Sequence, residues 1–161
     1  MKTNFLTNSN SKIRITNKKN NSNIYEFNLP AYKNAMGKLI CPFAKDCIKD
    51  CYASKGTYLY KNVQTKYENN YNSSLEANFE SLIQAELDKK KPSHVRIHSS
   101  GDFYNKKYLL KWATLAMENP DIIFYAYTKS IKFFKFGSIA EQIMSLDNFK
   151  IIFSLGSKSD N

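Results

Sequence analysis

Between residues 94 and 157 the chain alternates between two hydrophobic periods, and this rhythm restricts the folds open to it more than any other feature. "HVRIHSS", "DIIFYAYTKS" and "FKIIFSLGS" are short and rich in β-branched and aromatic residues, so they read as strands. Between them, "NKKYLLKWATLAMEN" and "SIAEQIMSLDN" carry apolar residues at helical spacing, the first opened by Asn105. Strands separated by helices of this length predict right-handed βαβ crossovers. The expected class is α/β, built as a parallel sheet of βαβ units or a partial (β/α) barrel. Ligands of such sheets bind where loops leave the carboxyl ends of the strands. Those ends carry "HSSGDF", "YTKS" and "SLGSKSD", all polar and turn-forming.

Upstream the signals are more local. "SKIRITNKKNNSNIYEFNLP" holds two β-prone runs around an Asn/Lys turn, which predicts a small N-terminal β-hairpin over residues 12 to 28. Residues 58 to 71 predict a polar, tyrosine-rich helix. "NSSLEANFESLIQAELDKK" predicts a further helix, with Ser73 and Glu76 at capping-box spacing and Leu75, Phe79, Leu82, Ile83 and Leu87 on one face. Lys89 to Lys91 sit favourably at its negative end. No repeat or low-complexity linker interrupts the 161 residues, so 1–161 is expected to be one α/β domain.

The formal charge of +10 raises the question of nucleic acid. Of the 24 basic residues 22 are lysine, and only Arg14 and Arg96 can offer the planar fork that reads phosphates and bases. The lysines are dispersed and accompanied by 18 asparagines, so weak, non-specific nucleic-acid binding is all that they predict. No run of about 18 apolar residues exists to span a bilayer, and "MKTNFLTNSNSK" lacks the apolar core of a secretory signal. The expectation is a cytoplasmic protein with no membrane partner, whose thiols stay reduced.

All three cysteines fall within "CPFAKDCIKDCYA". An odd number of thiols this close along the chain makes disulfide stapling a poor explanation, leaving metal binding, catalysis or burial. Cys41, Cys47 and Cys51, spaced C-x5-C-x3-C, can fold around one metal centre. Zinc normally takes four ligands, and the fourth would come from His94, His98 or Asp102. An iron–sulfur cluster takes thiolates as well, and three of them leave one iron of a [4Fe–4S] cluster open to a small molecule. Buried free thiols are the third reading.

In "HVRIHSSGDFY", alternation puts Val95, Ile97 and Ser99 on one face and His94, Arg96 and His98 on the other. Arg96 and His98 then form a polar pair on a strand expected to be buried, where charge requires a partner. Gly101 permits close backbone approach to a ligand, and Asp102 can accept hydrogen bonds from its amine or hydroxyl groups or start the following helix. Tyr127, Thr128 and Lys129 hold the corresponding place on the next strand.

Together, "CPFAKDCIKDCYA" and "RIHSSGDFYNKKYLLKWATLAMENPDIIFYAYTKS" resemble the phage protein family called gene product eighty-eight, over roughly residues 28 to 156. More distantly, the order of parts is similar to radical-SAM enzymes, which bind a [4Fe–4S] cluster through a three-cysteine loop over a partial (β/α) barrel. That resemblance implies a radical-SAM-like barrel, Cys41, Cys47 and Cys51 as cluster ligands, and S-adenosylmethionine as a ligand. Ser100, Gly101 and Asp102 occupy the place of the motif that holds its amine, with His98 beside them. The spacing departs from the usual C-x3-C-x2-C, and the chain ends where such a barrel needs further strands. The expected function is an iron–sulfur protein of phage or prophage origin, an enzyme if chemistry occurs at the open iron. The alternative is a zinc-stabilised module binding nucleic acid or a host protein.

Overall fold

A computed structural model describes residues 4–134 and 139–158, with the side chains of residues 139–141 not described. Four strands, β1 (Ile24–Phe27), β2 (His94–Ile97), β3 (Ile123–Thr128) and β4 (Phe149–Phe153), form one sheet in the order β1-β2-β3-β4. All three pairings are parallel. The helices are α1 (Ser11–Asn20), α2 (Lys61–Leu75), α3 (Phe79–Lys90), α4 (Lys106–Glu118) and α5 (Ile139–Met144). The α/β class and the parallel sheet agree with the sequence pattern. Ser138, where the last helix is expected to start, lies outside the described residues, as do parts of the "KFFKF" and "SLGSKSD" segments. Among the described residues no helix is long and apolar enough to cross a membrane.

The expected N-terminal hairpin does not form. Its first arm is α1, capped by the Asn10 side chain on the Lys12 N–H and ended by Asn21 in the left-handed region. Asn17 explains why the two segments still meet. Its side chain accepts from Ile24 N (2.8 Å) and donates to Ile24 O (3.1 Å), taking the place of a strand partner. Freed from a hairpin, β1 pairs with β2, register Phe27 to Ile97, and its other edge meets the Asn17 side chain and an antiparallel bridge from Thr7 to Glu26.

The helix expected through residues 72–90 is broken in two. Ser73 lies inside α2, Glu76 ends it, and α3 starts after Asn78, so no capping box forms. The buried amine of Lys111 in α4 donates to the carbonyls of Ser74 and Glu76, capturing the α2 terminus. The break lets Phe79 turn into the core, edge-on to Phe27 and Trp112, while Leu75 is left exposed.

Helices α3 and α4 pack together against one face of the sheet. That face carries Phe27, Val95, Ile97, Phe124, Ala126 and Phe149, all buried, with Trp112 of α4 wedged against Phe27 and Phe124. The opposite face carries Glu26, Arg96 and Tyr125 in register. A polar row on a parallel sheet leaves that side for something other than core packing. The α4 start is held by Asn105, whose side chain accepts from the Tyr108 N–H at 2.8 Å. Asn105→Ala is expected to cost about 1 kcal/mol in chemical denaturation.

Candidate functional site

At the carboxyl end of β2 the backbone leaves the strand by two left-handed residues, His98 (φ 70°) and Gly101 (φ 89°). The first of these rearranges the faces predicted by alternation. Ser99 joins Arg96 on the polar face, where its hydroxyl donates to the Glu26 carboxylate. His98 turns into the helix layer instead, with its ring 5.0 Å from Phe103 and Nε2 2.8 Å from the Tyr108 hydroxyl. The expected Arg96–His98 pair is therefore split between environments. His98 Nδ1 is buried without a hydrogen-bond partner among the described residues, and burial together with the Arg96 charge pushes the imidazole down to about 3, keeping it neutral.

The "SSG" turn is held from β1. The Asn28 side chain accepts from Ser99 N (2.6 Å) and Ser100 N (3.1 Å), and Leu29 N donates to Ser100 O (2.9 Å). Gly101 does make a close approach, but to Leu29: a Cβ there would lie 2.6 Å from the Leu29 Cβ. Asp102 does not start the helix, since Asn105 does that. Its Oδ1 accepts from the Thr128 hydroxyl (2.5 Å) and Phe103 N (2.7 Å), and its Oδ2 from Lys129 N (2.9 Å). This carboxylate fastens the end of β2 to the end of β3. Burial raises it to about 6 against those three hydrogen bonds and the Lys129 charge, which all favour the ionised form. A role in holding a ligand's cationic group thus competes with three donors already in place.

The cysteine loop follows β1 and is drawn across the same end of the sheet. Cys41 N donates to Tyr32 O, Ala44 forms a bridge with Ser157, and Lys158 N donates to Phe43 O, so the loop is anchored at both margins of the sheet. The Tyr52 hydroxyl donates to Ser99 O and ties the end of the loop to the β2 turn. A cavity of about 480 Å³ lies between them. Cys41, Cys47 and Cys51 all line it, facing His98 and the turn Ser99–Asp102. Tyr127 and Lys129 also reach it, whereas Thr128 is committed to Asp102. His94, at the opposite end of β2, bonds Ser93 and is not among the lining residues.

All three thiols are free and half-buried. Burial, and next the Asp102 charge, push the Cys41 thiol well above its ordinary value. An activated nucleophile needs the reverse, a thiolate stabilised by its surroundings. Two buried polar atoms beside the cavity, His98 Nδ1 and Ser100 Oγ, have no hydrogen-bond partner among the described residues. Among those residues, no three His, Cys, Asp or Glu side chains are grouped so as to hold a single metal ion.

Sequence reasoning singled out His98, Ser100, Gly101, Asp102 and the cysteines, and the fold brings them to one cavity. It missed Asn28, which organises the turn, and Tyr52, which closes the loop. It also missed Glu26, whose signal was a lone carboxylate inside the apolar run "IYEF".

No solved structure matches this fold at a significant level. The chain is 29% identical over 126 residues to the Gene 88 protein of Mycobacterium phage L5, covering 71% of this chain and 51% of that protein. It is 32% identical over 101 residues to the Gene 88 protein of Mycobacterium phage D29, covering 55% of this chain and 42% of that protein. It thus spans about half the length of the curated relatives it matches. The gene product 88 family matches residues 4–161, nearly the whole sequence, and the chain belongs to that family.

Proposed function

We propose that this protein holds an iron–sulfur cluster on Cys41, Cys47 and Cys51 and takes a small molecule beside it. The convergence of all three thiols on one cavity at the carboxyl end of a parallel sheet carries the reading. A tetrahedral zinc ion needs its donors gathered about one point, whereas a cluster receives each thiolate at a separate iron. The loop supplies three thiols to one cavity, which matches three irons of a cluster, whereas zinc would need a fourth ligand from outside the loop. When bound, the cluster would supply redox-active iron, with one iron left without a protein thiolate and open to a ligand.

The chain's own residues prepare for this in definable ways. The raised Cys41 thiol makes deprotonation costly unless a cation receives the thiolate, so binding is coupled to proton release and strengthens with pH. Lys129 lines the cavity and offsets part of the negative charge of a thiolate-ligated cluster. His98 Nδ1 and Ser100 Oγ supply unused polar atoms at its wall. S-adenosylmethionine, the ligand suggested by the distant resemblance to radical-SAM enzymes, is one small molecule to test there by calorimetry.

Anaerobic reconstitution followed by iron and sulfide analysis tests the proposal. The expected outcome is a brown protein with equal iron and sulfide, from which each of Cys41→Ala, Cys47→Ala and Cys51→Ala loses most of the iron. Full iron retained by any two of these variants overturns shared ligation. A colourless protein with one tightly held zinc per chain favours the zinc reading instead.

A further inference from the structure

A second cavity, of about 580 Å³, lies on the polar face of the sheet, separated from the cysteines by Arg96, Tyr52 and Ser99, which line both. Its charged lining residues are three cations, Arg96, Lys66 and Lys12, and one carboxylate, Glu26. Its volume lies in the range of small-molecule sites.

Two of these groups are in unusual states. Glu26 is only 3% exposed, and its carboxylate is engaged by the Ser99 hydroxyl and, at 3.5 Å, by Asn10 Nδ2. Arg96 makes no hydrogen bond or ion pair with any described residue, and its Nε is buried without a partner. Its guanidinium instead lies 5.6 Å from the centre of the ring of Tyr127, which lines the cysteine cavity, so the group stands at the boundary between the two cavities. Glu26 and Arg96 are register partners on adjacent strands and share a face, yet the ion pair that burial would favour is not formed. A guanidinium fork held beside a cavity, with no oxygen of the described residues receiving it, is suited to a ligand oxyanion.

The remaining wall is aromatic. Tyr52 and Tyr58 meet edge-on at 5.8 Å, and Tyr58 and Tyr67 are tilted at 6.3 Å. All three line the cavity. An aromatic wall favours a flat ring, a buried carboxylate accepts from hydroxyl groups, and an unpaired guanidinium with two lysines favours a phosphate.

We propose that this cavity is a binding site for a nucleoside monophosphate. Arg96 receives the phosphate, Glu26 accepts from the sugar hydroxyls, and the tyrosines border the base. The site adjoins the cysteine cavity and shares Arg96, Tyr52 and Ser99 with it but requires no cluster, so its test is run on metal-free protein and reads nucleotide binding without iron.

The experiment is titration calorimetry at low salt with AMP and UMP, and with adenosine and inorganic phosphate as the two halves of AMP. At least one monophosphate is expected to bind, and AMP to bind at least about tenfold more tightly than either half. Arg96→Lys keeps the charge but loses the fork, and is expected to weaken AMP binding by roughly tenfold or more while leaving adenosine unchanged. Glu26→Gln should weaken AMP and adenosine alike. The assignment is overturned if neither monophosphate binds at millimolar concentration, or if adenosine or phosphate alone matches AMP. It is also overturned if Arg96→Lys binds AMP like the parent. Should Arg96→Lys fail to fold, the comparison of AMP with its halves on the parent protein decides.

Discussion

Gly101→Ala is expected to destabilise the protein by on the order of 2 to 5 kcal/mol, the largest effect of any single methyl addition proposed for this chain. Two costs combine. A residue with a Cβ in the left-handed region loses about 1–2 kcal/mol, and Gly101 sits at φ 89°. Overpacking adds roughly 1–3 kcal/mol, because the new Cβ would meet the Leu29 Cβ at 2.6 Å and the Leu29 Cα at 3.3 Å. Neither contact is with the end of a flexible side chain, so the β1 and β2 termini would have to separate. Gly37 is the natural control, having φ 77° but nothing within 4 Å of an added Cβ. Urea denaturation of the two alanine variants isolates the Leu29 contact. Equal losses in both would show that β1 and β2 do not approach as closely as described.

Asp102→Asn is expected to uncover an acid sensitivity that the parent protein conceals. Burial holds His98 at about 3 against an ordinary 6.5, so its contribution is present above pH 6.5 and is lost as pH falls. Burial holds Asp102 at about 6 against an ordinary 3.8, so its contribution is present below pH 3.8 and is lost as pH rises through 6. Between about pH 4 and 6 the folded chain carries its proton on Asp102 and the unfolded chain carries its proton on the histidine. The two states then bind equal numbers of protons at this pair of sites, and the slopes cancel. With asparagine at position 102 only His98 remains, and stability should fall by about 1.4 kcal/mol for each pH unit below 6.5. Denaturation midpoints at pH 6 and pH 4.5, on cluster-free protein, should diverge between parent and variant by about 2 kcal/mol. Parallel pH dependence in the two proteins would refute the opposed titrations.

These two residues also mark where local pattern stopped being informative. Asp102 and Gly101 were recognisable as a special turn at a strand end, but both functions considered for them in the sequence were ligand contacts or a helix start. Their observed partners, Leu29, Thr128 and Lys129, are 72, 26 and 27 residues away along the chain. No spacing rule reaches across such separations. Lys111 is similar, since its capture of the α2 terminus divides what reads locally as one continuous helix.

By itself the sequence determined the parallel α/β class, the positions of β2, α4, β3 and β4, the Asn105 cap and the gathering of the thiols in one loop. Each of these follows from periodicity or from side-chain chemistry acting within one turn or one strand. Only the tertiary structure decided that the first arm of the N-terminal segment is a helix, because the Asn17 side chain, rather than a second strand, satisfies Ile24. Only it decided the faces at the end of β2, where a left-handed His98 sends the imidazole to Tyr108 and Ser99 to Glu26. Alternation assumes an extended backbone, and a single positive φ exchanges every face beyond it. That exchange brings the Ser99 hydroxyl to the Glu26 carboxylate, a pairing between strands that no short stretch of the chain carries.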